Sequence, residues 1–198
     1  MPENIEEGVI VEEGALVMPF VIIKGKSVIK KGAVIESFSY LDNAVIEEGA
    51  HIRASRITDS TVGQNTTVGP NAHLREHSAV GKNCRVGNFV EMKKSSLGDF
   101  SKAAHLAYIG DAAVGKNCNV GCGVVFVNYD GKKKHKTTVG DNCFIGSNCN
   151  LIAPLKIEEG CYIACGTTLT CDLEKDDFAI GRAIAAIKHN RASKYLEE

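Results

Sequence analysis

Tryptophan is absent from this chain of 198 residues, aromatic side chains make up only 6%, and proline occurs four times. A core made without large rings must be narrow, filled by Val, Ile, Leu, Ala and Cys, and the 44% hydrophobic content is ample for one. Net charge is lacking as well. The 23 basic and 24 acidic residues nearly cancel, so no overall field draws the protein toward nucleic acid or anionic lipid. The N-terminal MPENIEEG carries no apolar signal region, and no run approaches the roughly 18 apolar residues of a membrane span. The expected location is the cytoplasm, with neither nucleic acid nor membrane as partner. No CxxC pair occurs among the eight cysteines, so neither disulfides nor a zinc site is expected.

What is present is a beat of six. Aliphatic residues recur as Val62, Val68, Leu74, Val80, Val86, Met92 and again as Val139, Ile145, Leu151, Ile157, Ile163, Leu169. A helix needs apolar recurrence at three and four, and a lone strand at two; six fits neither. The beat starts near Val11, slips to five at Ile46, Ile57, Val62, Leu97 and Val114, and amounts to about 27 hexads, or nine turns of three. Repetition at a short fixed period is the mark of a solenoid in which each unit covers its neighbour's apolar face. With strands about 4.8 Å apart the rod is on the order of 43 Å long.

Four residues after the beat stand compact side chains: Thr66, Ala72, Ser78, Cys84, Cys118, Cys143, Cys149, Cys161 and Thr167. Five cysteines are therefore expected inside the rod, as small hydrophobes. Gly63, Gly69, Gly81 and Gly87 follow the beat directly and are read as turning points. The rod is expected over residues 1–173. After it, Ile180, Ile184 and Ile187 lie at helical spacing, which predicts a short amphipathic helix over residues 176–196 within a tail of residues 174–198. Such a helix would cap the open β edge.

The beat is interrupted twice. Around NFVEMKKSSLGDFSKAAHLAY, Lys93 stands where a glycine usually follows the beat, and Arg75 holds the same position 18 residues earlier. One full turn separates them, so they are expected to stack on one edge, as a solvated pair or as a clamp for phosphate. The second interruption puts thirteen residues between Phe126 and Val139 where six were due. A loop near residues 127–138 must leave the rod, with turn chemistry at Asn128-Tyr129-Asp130-Gly131 and potential cations from Lys132 to Lys136. Charge runs are usually solvated, but a long loop on a regular rod is also where function tends to reside. His105 is open to two readings, structural or general base.

At these residues the chain resembles the hexapeptide-repeat acyltransferases. NFVEMKK, SKAAHLAYIGDA, NYDGKKKHKT, VGDNCFIGSNCNLIAP and IACGTTLT are similar to the acetyltransferase half of the bifunctional bacterial enzyme that makes UDP-N-acetylglucosamine. The resemblance implies an all-β, left-handed parallel β-helix and a homotrimer. The left hand comes from the resemblance alone, since parallel crossovers are normally right-handed. It also implies acetyl transfer from acetyl-CoA to the amine of glucosamine 1-phosphate, with no metal required. By position, His105 matches the family's catalytic base, and Arg75, Lys93, Tyr108, Asn119 and Lys134 match its sugar-phosphate ligands. Cys122, Asn128, Tyr129, Ser147, Cys165 and Arg182 match its acetyl-CoA contacts. Cys122 and Cys165 replace alanines of the family, and Arg75-Glu76-His77-Ser78 stands where it usually has Arg-Pro-Gly-Ala.

The resemblance further implies direct attack by the amine, deprotonated by His105, on the thioester, with a main-chain N–H near Cys122 for the oxyanion. An acyl-enzyme on Cys122 is the rival mechanism. Nothing in the sequence is similar to the uridylyltransferase half, so a separate nucleotidyltransferase is expected to supply that step. Other readings are a different amino sugar or a nucleotide-linked amino sugar as acceptor, a carbonic-anhydrase-like β-helix, and a non-catalytic one.

Overall fold

The computed structural model describes residues 4–192 and 194 of the chain. Its 28 short strands form a triangular parallel coil of about nine turns, a left-handed β-helix. The first face runs from Ile10–Val11 to Leu155–Ile157 in nine strands. A second runs from Leu16–Val17 to Phe178–Ala179 in ten, and a third from Ile22–Lys24 to Thr168–Leu169 in nine. Every pairing between these strands is parallel, as between Thr67–Val68 and Arg85–Val86. Like positions of successive coils therefore stack on one another.

The beat is the interior. From Ile23 to Leu169 its residues are no more than 5% exposed, with Phe126 the bulkiest of the wholly buried side chains. Burying each Val, Leu or Ile contributes about 1.5–3 kcal/mol relative to exposure. Most strands have only two or three residues, because a corner follows each beat residue within a few positions.

The compact position four after the beat does more than fill space. Thr66 Oγ1 donates to Gly81 O at 2.7 Å and Ser101 Oγ to Gly115 O at 2.8 Å. The thiols of Cys84, Cys118 and Cys143 point likewise to Gly98, Gly140 and Glu158 carbonyls at 3.1 Å. In return Thr66 Oγ1 accepts from Cys84 N, and Ser101 Oγ from Cys118 N, both at 2.9 Å. Cys, Ser and Thr interchange here because each is compact and donates to the next coil. All eight cysteines are free, and the five expected inside are buried.

The glycines after the beat serve two purposes. Gly69 takes positive φ, 102°, as expected of a turning point, whereas Gly63, Gly81 and Gly87 do not; left-handed corners at Asn65, Asn71, Asn83, Asn117, Asn142 and Asn148 fall three after the beat. Asn tolerates that conformation better than other side chains bearing a Cβ. Gly63, Gly81 and Gly87 instead allow close coil stacking: a Cβ on Gly87 would lie 1.9 Å from Ala104 O.

The helix expected over residues 176–196 is absent from residues 176–192; residues 193 and 195–198 lie outside the described part. Phe178–Ala179 forms a strand paired with Tyr162–Ile163. Phe178 stacks on Tyr162 at 5.6 Å, and Tyr162 on Phe144 at 4.7 Å, so the aromatic ladder extends the second face and takes this segment. Beyond it Ile184 and Ile187 are 97% and 77% exposed. A short helix gains most of its stability from burying an apolar face, and no described residue covers this one. No helix among the described residues is long and apolar enough to cross a membrane.

Candidate functional site

The ladder places Arg75 and Lys93 side by side. They are register partners at the ends of third-face strands His73–Arg75 and Glu91–Lys93, and Gly110 is the next partner of Lys93. The arginine binds Glu91 through Nε at 2.8 Å and Nη2 at 2.7 Å, and Glu76 through Nη1. Lys93 is almost wholly buried, its Nζ 3.1 Å from Asp111 Oδ2 and 3.4 Å from Glu76 Oε2.

The extruded loop folds back over this pair. His135 N donates to Asn128 O at 2.8 Å, and Tyr129 pairs with Lys134 as in a miniature hairpin. Asp130 pins the turn by accepting from the backbone N–H groups of Lys132 and Lys133, both at 2.8 Å, and from His135. These bonds, with Lys133 N–H first, hold its carboxyl down at about 2. Thr137–Val139 then rejoins the first face beside Ala112–Val114. Lys134, His135 and Lys136 thereby line a cleft of about 500 Å³ with Glu76, Lys93, Lys94 and Asp111.

Two lysines face each other in that cleft, buried Lys93 at its base and exposed Lys134 on the loop. Lys93 is pushed up to about 12, chiefly by its hydrogen bond with the Lys134 amine and, against the cost of burial, by Asp111. Lys134 is pushed below its ordinary value by the neighbouring Lys93. Burial raises the Asp111 carboxyl, but bonds from Lys93 and Asn128 outweigh it and leave it lowered. Buried Asn128 also donates to Tyr108 Oη at 3.4 Å. Arg75, Lys93, Tyr108, Asn128 and Lys134 thus belong to one neighbourhood, with Tyr129 at its exposed rim.

The remaining candidates, Asn119 apart, lie at the opposite edge of the third face. His105 ends the second-face strand Lys102–His105, is exposed, and pairs in register with Asn88. Cys122, Ser147 and Cys165 occupy the same corner position on the next coils, two after the beat. Ser147 O accepts from Gly166 N at 2.8 Å, Cys122 O from Asn148 N at 2.8 Å, and Cys165 O from Arg182 Nη1 at 2.9 Å. The five form a column along the rod. Asn119 starts the second-face strand Asn119–Val120, paired with Lys102. One chain therefore gathers two candidate half-sites, a cationic cleft and a column of corner backbone.

Sequence reasoning missed the anions. Asp111, Glu76 and Glu91 hold the three-dimensional arrangement of the cations, and the signal for Asp111 was there: it directly follows Gly110, the residue one turn on from Lys93.

Residues 59–94 and 136–171 match the model of the bacterial transferase hexapeptide, described as six repeats. Those two stretches are similar to the hexapeptide-repeat transferases. The chain is 50% identical over 184 residues to the bifunctional protein GlmU of Clostridium novyi (strain NT), covering 92% of this chain and 40% of that protein. Against the bifunctional protein GlmU of Acholeplasma laidlawii (strain PG-8A) the identity is 51% over 197 residues, with 98% and 43% covered. For that of Clostridioides difficile (strain 630) it is 49% over 190 residues, with 96% and 41% covered. The chain thus spans about two-fifths of the length of these hexapeptide-repeat relatives. Among the described residues no group of three or more His, Cys, Asp and Glu is placed to share a metal ion.

Proposed function

We propose that this chain transfers acetyl from acetyl-CoA to the amine of glucosamine 1-phosphate, producing N-acetylglucosamine 1-phosphate and CoA. The observation that carries the reading is the stacked pair of Arg75 and Lys93 under the returning loop with Lys134. Two cations in register, with a third above them, suit a phosphate monoester. Tyr108 and Asn128 border the place where the sugar would lie.

The reaction needs a free amine lone pair, so an ammonium must lose its proton before or during attack on the thioester. His105 takes that proton. The thioester oxygen gains negative charge in the tetrahedral intermediate, and a main-chain N–H near Cys122 would stabilise it. Collapse expels the CoA thiolate, which takes up the second proton shed by the nitrogen and departs as the thiol, leaving the amide without a covalent enzyme intermediate. Cys122, Ser147, Cys165 and Arg182 give acetyl-CoA a straight track, while Asn128 and Tyr129 reach it from the loop. Asn119 serves the sugar phosphate from a neighbouring copy. No step in this sequence calls on a metal.

The two half-sites support a homotrimer. His105 and the cationic cleft occupy opposite edges of one face, so a site uniting them draws the histidine and the cations from adjacent chains. The exposed Ile184 and Ile187 would gain cover in the same assembly. Uridylyl transfer, if coupled to this product, falls to a nucleotidyltransferase activity outside the β-helix.

The test is CoA release with acetyl-CoA and glucosamine 1-phosphate, beside a panel of other amino sugars. Turnover of glucosamine 1-phosphate by the wild type, lost in His105→Ala and kept in Cys122→Ala, is the expected pattern. Turnover only with another amino sugar would replace the acceptor.

A further inference from the structure

Glu76 differs from the other anions of the cleft. Asp111 is fixed, its side chain only 12% exposed and bonded to both Lys93 and Asn128. Glu91 is committed to Arg75 alone, through Nε and Nη2. The Glu76 side chain is 49% exposed, yet it sends one oxygen to each stacked cation, Oε1 to Arg75 Nη1 and Oε2 to Lys93 Nζ at 3.4 Å. It hangs from a corner where Glu76 and His77 both take left-handed backbone, φ 52° and 61°. A carboxylate bridging the two cations occupies the position in which an incoming anion would gain most.

We infer that Glu76 is a displaceable counter-anion. It bridges the Arg75 and Lys93 pair in the free protein and must swing outward when a phosphate monoester enters, so it sets the cleft's affinity for that ligand. A dianionic phosphate offers both cations more charge than one carboxylate, whereas a monoanion has no such advantage and fails to displace it. Glu76 is thus a specificity residue for dianionic phosphates. Asp111 and Glu91 keep the cations in position once Glu76 has left. The inference rests on the reading of Arg75 and Lys93 as the phosphate site.

Calorimetry with inorganic phosphate on the full chain, at fixed pH and ionic strength, tests it without requiring acetyl transfer. Glu76→Gln keeps the volume, and Glu76→Gly suits the left-handed corner. Both variants should bind phosphate about three- to tenfold more tightly, the scale of partly exposed ion pairs. The KM for glucosamine 1-phosphate should fall by a similar factor with kcat unchanged. Equal or weaker phosphate binding in both variants, with normal binding by the wild type, would refute the counter-anion and leave the phosphate site standing. Absence of phosphate binding in all three proteins would overturn both ideas.

Discussion

Lys93 carries the electrostatics of the cleft. Its ammonium is held near 12 while Lys134, directly beside it, loses its proton below the ordinary lysine value. Phosphate is a fixed dianion above about pH 8, so any further change in its binding reports the protein. Affinity should fall as pH rises through the lowered Lys134 value, and Lys134→Met should flatten that decline while weakening binding at neutral pH. The Lys93 contribution to stability has the opposite position. A raised folded value means stability fully present below about 10.5 and lost as pH rises toward about 12. Asp111 works in acid: its lowered carboxyl gives stability present above the unfolded value near 3.8 and lost as pH falls through the folded one. Urea titrations of Asp111→Asn should show a flatter stability profile below pH 4 than the wild type. At this scale the sequence was legible for the cations and silent on their partners. Arg75 and Lys93 announced themselves by breaking a glycine position, whereas Glu76, Glu91 and Asp111 look like ordinary surface carboxylates until the coils are stacked.

Individual coils depend on their corners. Ser101 is wholly buried, donates to Gly115 O and accepts from Cys118 N. Ser101→Ala strands both backbone groups and should cost about 1–3 kcal/mol in chemical denaturation. Gly87→Ala places a methyl against a backbone carbonyl that belongs to the next coil, and should cost about 1–3 kcal/mol as overpacking, with a larger loss if the coils separate. Asn83→Ala, at a left-handed corner with the side chain removed, should cost about 1 kcal/mol. The period of six revealed the strands and the interior because burial repeats with it. It did not reveal what each corner does, since glycine is called for both by positive φ and by close approach. Only stacking separates the two. The same limit explains the tail: Ile180, Ile184 and Ile187 have helical spacing, but Phe178 found a stacking partner in Tyr162 and a strand formed instead.

The whole molecule is a rod whose long axis sets coil upon coil, so its candidate site residues are ordered by height. Arg75, Lys93 and Lys134 sit on one edge of the third face, and His105, Cys122, Ser147 and Cys165 on the other. A single rod keeps these groups apart, and three rods packed side by side would bring one edge against another. Native mass measurement should therefore give a trimer, and activity should decline on dilution below the assembly constant; a monomer fully active at high dilution would contradict shared sites. The central claim is the reaction, and its most direct test is CoA release from acetyl-CoA with glucosamine 1-phosphate, comparing the wild type with His105→Ala. Turnover that falls about 100- to 10,000-fold in the variant, as for loss of a general base, with phosphate binding intact, is the predicted result. Turnover undiminished in His105→Ala, or no turnover by the wild type while another amino sugar is acetylated, would contradict it.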